Sequence, residues 1–172
     1  MNTIETIAAR RSIRKYVKGA KVTDEQVKTL LECAMQAPSA CNTRPWEFIV
    51  VRDRLVLSRI MEAHKYTGML ATADLAIIIC ALPGTQSGIA SNFFPQDCGA
   101  ATENILLAAA SLGLGACWCG VYPGEERIEA VRGILEVPEE AVPFCVIAVG
   151  VPDETPAARG GYEESKVHWD KW

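Results

Sequence analysis

An α+β domain is what this sequence predicts, and three stretches carry the prediction. The run Ala73-Asp-Leu-Ala-Ile-Ile-Ile-Cys-Ala81 is apolar and β-branched without alternation, as a central strand covered on both faces would be. From Thr23 to about Gln36, Val27, Leu30, Leu31 and Ala34 recur at helical spacing on one face. Phe94 to Leu112, including Ala100-Ala101 and Ile105 to Ala110, reads as a helix that is apolar on nearly every side. At 172 residues, with no repeat and no dividing linker, residues 1–172 suit one domain with a sizeable core.

In chain order, Ile4, Ile7 and Ala8 predict a short first helix. Lys18-Gly19-Ala20 reads as a turn, and Thr23 with Gln26 forms a capping-box pattern that opens the second helix. Ala37-Pro38 stops it. The segment Pro38 to Trp46 holds two prolines and a cluster of small polar groups; such a loop either carries function or simply connects helix to strand. Phe48 to Val51 reads as a buried strand, Leu55 to His64 as a helix, and Pro83 to Ser91 as a mobile surface loop rich in Gly and Ser. The helix from Phe94 must be buried all round, and a chain this short has little room to enclose it. A dimer interface built on it is the preferred expectation, and a core helix within one subunit is the other.

Gly113 to Gly120 follows that helix and leads into a predicted strand. A dinucleotide-binding loop has the opposite order, strand then glycines then helix, so a Rossmann fingerprint is rejected. These glycines are expected to end the helix and to let backbone approach a flat ligand. Gly124 to Leu135 reads as an amphipathic helix and Pro143 to Val151 as another buried strand. The polar tail from Pro152 closes on His168-Trp169-Asp170-Lys171-Trp172, aromatics expected to dock on something.

Composition narrows the function. Apolar content of 49% and charged content of 22% are ordinary for a soluble globular protein. A polar N-terminus without a leading apolar run predicts no secretory signal, and no run is long enough to span a membrane. A net charge of −4 argues against nucleic acid as a partner. The seven cysteines are odd in number, scattered and without a Cys-x-x-Cys pair, so reduced thiols in a cytoplasmic protein are expected and a metal site is not.

Against that acidic background, Arg10, Arg11, Arg14 and Lys15 crowd around Ser12 at the expected end of the first helix. Arg10 and Arg14 would share a face if the helix continued that far. Guanidinium forks and a serine hydroxyl match phosphate oxygens; cations complementing a helix C-terminus are the plainer explanation.

Four segments together resemble the FMN-dependent nitroreductases, in their small bacterial-type form. They are Arg10-Arg11-Ser12-Ile13-Arg14, Pro38-Ser39-Ala40-Cys41-Asn42-Thr43-Arg44-Pro45-Trp46, Gly113-Leu114-Gly115-Ala116-Cys117-Trp118-Cys119-Gly120, and Arg159 before the closing Val167 to Trp172. The resemblance covers almost the whole chain. It implies a three-layer α/β/α fold around a mostly antiparallel sheet, and an intertwined homodimer with one FMN in each of two interface clefts. It further implies that Arg10, Ser12 and Arg159 hold the FMN phosphate with Arg11 beside them, and that Arg14 lies at the pyrimidine edge of the flavin. Pro38, Ser39 and Ala40 of the opposite subunit would pack by the ring with Asn42 hydrogen-bonded near it, while Trp118, Cys119 and Gly120 would line it. No acid-base triad is then needed, because the flavin carries the chemistry.

Four positions depart from the family pattern. Arg44 stands where glutamine is common, and either faces the cleft to meet an acidic acceptor or points outward. Gly160 and Gly161 follow Arg159 where further basic residues often occur, which would put more of the phosphate on Arg10. Glu103 stands where an amide is frequent, either as a paired buried acid or as an interface-edge charge. The activity implied is NAD(P)H-dependent reduction of nitroaromatics, quinones or similar electron-poor small molecules by a ping-pong hydride transfer, with NADH or NADPH as donor. Ene reduction or reductive dehalogenation, a slow FMN-binding redox carrier or sensor, and a flavin-free binding module are the alternatives.

Overall fold

The structure is a computed structural model and describes residues 2–172. Its centre is a four-stranded sheet in the order β1-β2-β4-β3, antiparallel throughout. The strands are β1 (Trp46–Val51), β2 (Leu75–Ala81), β3 (Gly115–Gly120) and β4 (Val142–Gly150). Every residue of β2 is buried, as its unbroken apolar run requires, because β1 and β4 flank it and helices cover both faces.

The helices are α1 (Thr3–Ala9), α2 (Asp24–Met35), α3 (Arg54–Ala63), α4 (Phe94–Ser111) and α5 (Glu125–Leu135). The Thr23–Gln26 capping box opens α2 as expected, and an equivalent Asn2–Glu5 box opens α1. Alternation along β2 divides the core. Leu75, Ile77 and Ile79 pack with α2 and α4, through Leu30, Ala34, Cys98, Ala101 and Ile105. Ala76, Ile78 and Cys80 face α3 and α5, through Leu57, Ile60 and Val131. The result is the expected three-layer α/β/α arrangement.

Two expectations change. The segment Pro83–Ser91 lies at the surface as expected, but it is organised as two short 3-10 turns, with Gln86 and Ala90 buried. Helix α4 is not enclosed within the chain, so the alternative of a core helix within one subunit is the one that fails. Phe94, Cys98, Ala101, Thr102, Ile105, Leu106 and Ala109 make one buried face, while Gly99, Ala100, Glu103, Asn104, Leu107 and Ala108 form a half-buried stripe on the other. Among the described residues no helix is long and apolar enough to cross a membrane.

Candidate functional site

The basic knot leaves α1 at once. Arg10 caps the helix with extended dihedrals (φ −54°, ψ 134°), so Arg10 and Arg14 do not share a helical face. The chain instead runs as an extended segment beside β3. Ser12 bridges Ala116, the Ile13 amide donates to the Ala116 carbonyl at 3.0 Å, and Tyr16 bridges Pro152. Gly115 makes this approach possible, since a Cβ there would lie 2.7 Å from Cγ2 of Ile13.

This pairing carries Arg14 to a cleft of about 530 Å³, lined also by Lys65, Tyr66, Met69, Cys117, Trp118, Cys119 and Gly120. The volume is in the range of small-molecule and cofactor sites, and its lining joins two cations to two aromatic rings. Cys119 Sγ donates to the Tyr66 carbonyl at 3.2 Å. The neighbouring Cys119 side chain, with Arg14 assisting against the cost of burial, holds the Cys117 thiol below its ordinary range. That same pairing, and burial, push the Cys119 thiol up.

Beneath the cleft lies a residue that no sequence motif marked. His64 is buried, its Nε2 sits 2.9 Å from the Gly120 carbonyl, and its Nδ1 accepts from the Tyr66 amide at 3.3 Å. A carbonyl can only accept and an amide can only donate, so the ring is the neutral Nε2–H tautomer. Burial lowers its pKa first, and the Arg127 charge lowers it further against the opposing Gly120 hydrogen bond.

Arg10 and Arg11 line a neighbouring recess with Glu154, Thr155 and Pro156. They are engaged differently. Arg10 Nε lies 3.0 Å from Oε1 of Glu103, which is therefore a paired acid. Arg11 donates through Nη1 to the carbonyls of Ala8 at 2.8 Å and Arg10 at 2.6 Å, and through Nε to that of Ala157 at 2.9 Å. The last of these ties the tail to the knot two residues before Arg159, which is itself exposed. Glu154 accepts from the backbone amides of Arg14 and Lys15.

The Pro38–Trp46 loop is elsewhere, against the N-terminal end of α4, and none of its residues lines the Arg14 cleft. Cys41, Asn42 and Arg44 adopt left-handed conformations, with φ of 50°, 55° and 51°. A buried network holds the loop in that shape. Asp97 of α4 accepts from the Ala40 amide at 3.1 Å and from the Gln86 side-chain amide at 2.7 Å, and the same Gln86 nitrogen reaches the Thr43 hydroxyl at 3.1 Å. Ser39 Oγ accepts from the Arg44 amide at 2.9 Å. The exposed Arg44 donates through Nη2 to the Met35 carbonyl at 2.8 Å, at the open end of α2. Within one chain, then, Arg14, Trp118, Cys119 and Gly120 share a cleft, Ser12 pairs beside it, and Pro38, Ser39, Ala40, Asn42 and Arg44 stand apart.

Residues 7–65 and 57–151 match the family model described as the Nitroreductase family. A Methanothermobacter thermautotrophicus protein, provisionally named NADH dehydrogenase/NAD(P)H nitroreductase, is 45% identical over 172 residues, covering 100% of this chain and 88% of its own length. Among solved structures, an FMN-dependent nitroreductase from Clostridium difficile aligns with a TM-score of 0.90 at 32% identity, covering 98% of this chain and 99% of that one. A provisionally named nitroreductase from Desulfovibrio desulfuricans, solved in complex with FMN, aligns with a TM-score of 0.83 at 28% identity, covering 100% and 98% of the two chains. The motifs, the sheet and these alignments agree: this chain belongs to the nitroreductase family.

Proposed function

We propose that this chain is an FMN-dependent oxidoreductase that takes electrons from NADH or NADPH and passes them to nitroaromatics, quinones or similar electron-poor small molecules. The observation that carries the reading is the single cleft in which the knot's Arg14 meets Trp118, Cys119 and Gly120. Its chemistry fits a flavin: Trp118 and Tyr66 offer flat apolar surface, and Arg14 and Lys65 supply positive charge. The FMN complex of the Desulfovibrio relative supports it.

Bound there, FMN would supply two-electron chemistry, accepting a hydride from the nicotinamide and delivering it to the acceptor in a ping-pong cycle. The chain's own part is binding and electrostatics. Arg10, Ser12 and Arg159 would hold the phosphate with Arg11 beside them, and Trp118, Cys119 and Gly120 would line the ring. Arg14 would stabilise negative charge at the pyrimidine edge, where a fixed guanidinium costs no reorganisation. His64 would keep Gly120 and Tyr66 in place beneath the cleft.

We infer a homodimer in which the Pro38–Arg44 loop of the second copy closes the cleft, bringing Pro38, Ser39 and Ala40 to the ring and Asn42 and Arg44 to the acceptor. Apolar surface supports this. Ile4 is 80% and Ile7 56% exposed on α1, Trp169 and Trp172 are exposed on the tail, and the stripe of α4 is half open. Groups like these are costly to leave in water when they are contiguous.

Initial rates test the reading. With NADH or NADPH varied against a nitroaromatic or a quinone, double-reciprocal plots should run parallel. Intersecting lines would remove the ping-pong cycle, and no nucleotide oxidation with either acceptor would remove the enzyme.

A further inference from the structure

We propose that Glu103 sets the affinity of this chain for the phosphate of its flavin, as a fixed negative charge on the arginine that the phosphate must share. The inference rests on the flavin reading above. Helix α4 has two acidic residues, and they differ in kind. Asp97 is buried and satisfied by Ala40 and Gln86. Glu103 stands on the opposite stripe among Gly99, Ala100 and Leu107, its side chain 43% exposed, and its carboxylate goes to Arg10.

The contact uses Nε of Arg10 and leaves the Nη fork for a second anion. A phosphate on that fork would sit across one guanidinium from the carboxylate, close enough for like charges near a protein surface to repel strongly. Arg10 is only 16% exposed, so counterions reach its guanidinium poorly. Of the neighbouring charges, Arg11 keeps its own but turns Nε and Nη1 to three carbonyls, and Glu154 adds a second acid to the same recess.

Glu103 thus does two things: it aligns Arg10, and it cancels much of the charge that Arg10 would offer. An amide at this position would do only the first. The carboxylate therefore weakens the phosphate's contribution, draws the affinities for FMN and riboflavin together, and makes the flavin exchangeable. If the α4 stripe is covered in a dimer, loss of solvent strengthens the effect.

The test compares FMN with riboflavin, which lacks the phosphate, by quenching of flavin fluorescence on the flavin-free full chain. E103Q keeps the acceptor for Arg10 and removes the charge. It should tighten FMN about tenfold, the scale of one like-charge contact at the surface, and leave riboflavin within about twofold. E103A removes the same charge but also the group that aligns Arg10, so it should tighten FMN less than E103Q does, and matched melting curves of the flavin-free proteins would show that the fold is intact. An unchanged FMN-to-riboflavin ratio, or weaker FMN binding in E103Q, would overturn the inference. Failure of every form to bind either flavin would overturn the flavin reading, and this inference with it.

Discussion

His64 joins two walls of one cleft: its Nε2–H donates to the Gly120 carbonyl, while its Nδ1 accepts from the Tyr66 amide. Replacing it with alanine should cost about 2–4 kcal/mol, through the cavity left and the stranded carbonyl and amide. Denaturant unfolding measures this. A loss below about 1 kcal/mol would mean that the clamp carries little.

The same ring makes stability depend on pH. Its folded pKa lies below the ordinary 6.5, so between the two values the unfolded chain binds more protons. The contribution is complete above about pH 6.5 and declines as pH falls toward the folded value. The difference between wild-type and H64A unfolding free energies should therefore shrink on acidification.

Asp74 anchors the start of α2 by accepting from Lys21 at 2.9 Å, from the Val22 amide at 3.0 Å and from Arg52. Burial opposes its ionisation, but these donors together hold its pKa below the ordinary 3.8. Asp74→Ala should cost about 2–3 kcal/mol at neutral pH, as loss of charged hydrogen bonds does. The wild-type advantage is complete above about pH 3.8 and is lost as pH falls through the folded value, which acid titrations of the two proteins would compare.

Gly115→Ala should force Ile13 away from β3, since the new methyl group would overlap its side chain. We expect a loss of about 1–3 kcal/mol, typical of overpacking, and weaker flavin binding because Arg14 rides on the same segment. Unchanged flavin affinity despite lower stability would separate the knot's position from the site.

Asp97→Ala should release the left-handed loop at Cys41–Arg44 by freeing the Ala40 amide and the Gln86 side chain. Each stranded polar group costs about 1–3 kcal/mol. Faster proteolysis near Asn42 would report the released loop, and an unchanged cleavage pattern would mean that Asp97 does not hold it.

Much of the fold was legible because local signals and packing agree. The unbroken run at Leu75–Ala81 could only be a strand covered on both faces, and Thr23 with Gln26 marked the start of α2. The failures share one cause, partners distant in sequence. Cations at positions 10 and 14 suit a helix face equally well, and pairing of Ser12 with Ala116 decides for extended chain. Pro83–Ser91 has the composition of a free loop, but Gln86 is drawn inside by Asp97. Within one chain Arg44 turns to the Met35 carbonyl, which nothing beside it in the sequence marks, and His64 gained a role only through Gly120.

The central claim is that the Arg14 cleft holds a flavin that nicotinamide nucleotides reduce. Its most direct test is the visible absorption spectrum of the purified full chain supplied with FMN, before and after NADH or NADPH is added without oxygen. Protein-bound flavin bands that bleach with either nucleotide are the predicted result, and the more effective nucleotide identifies the donor. A colourless chain that does not take up added FMN would contradict the account.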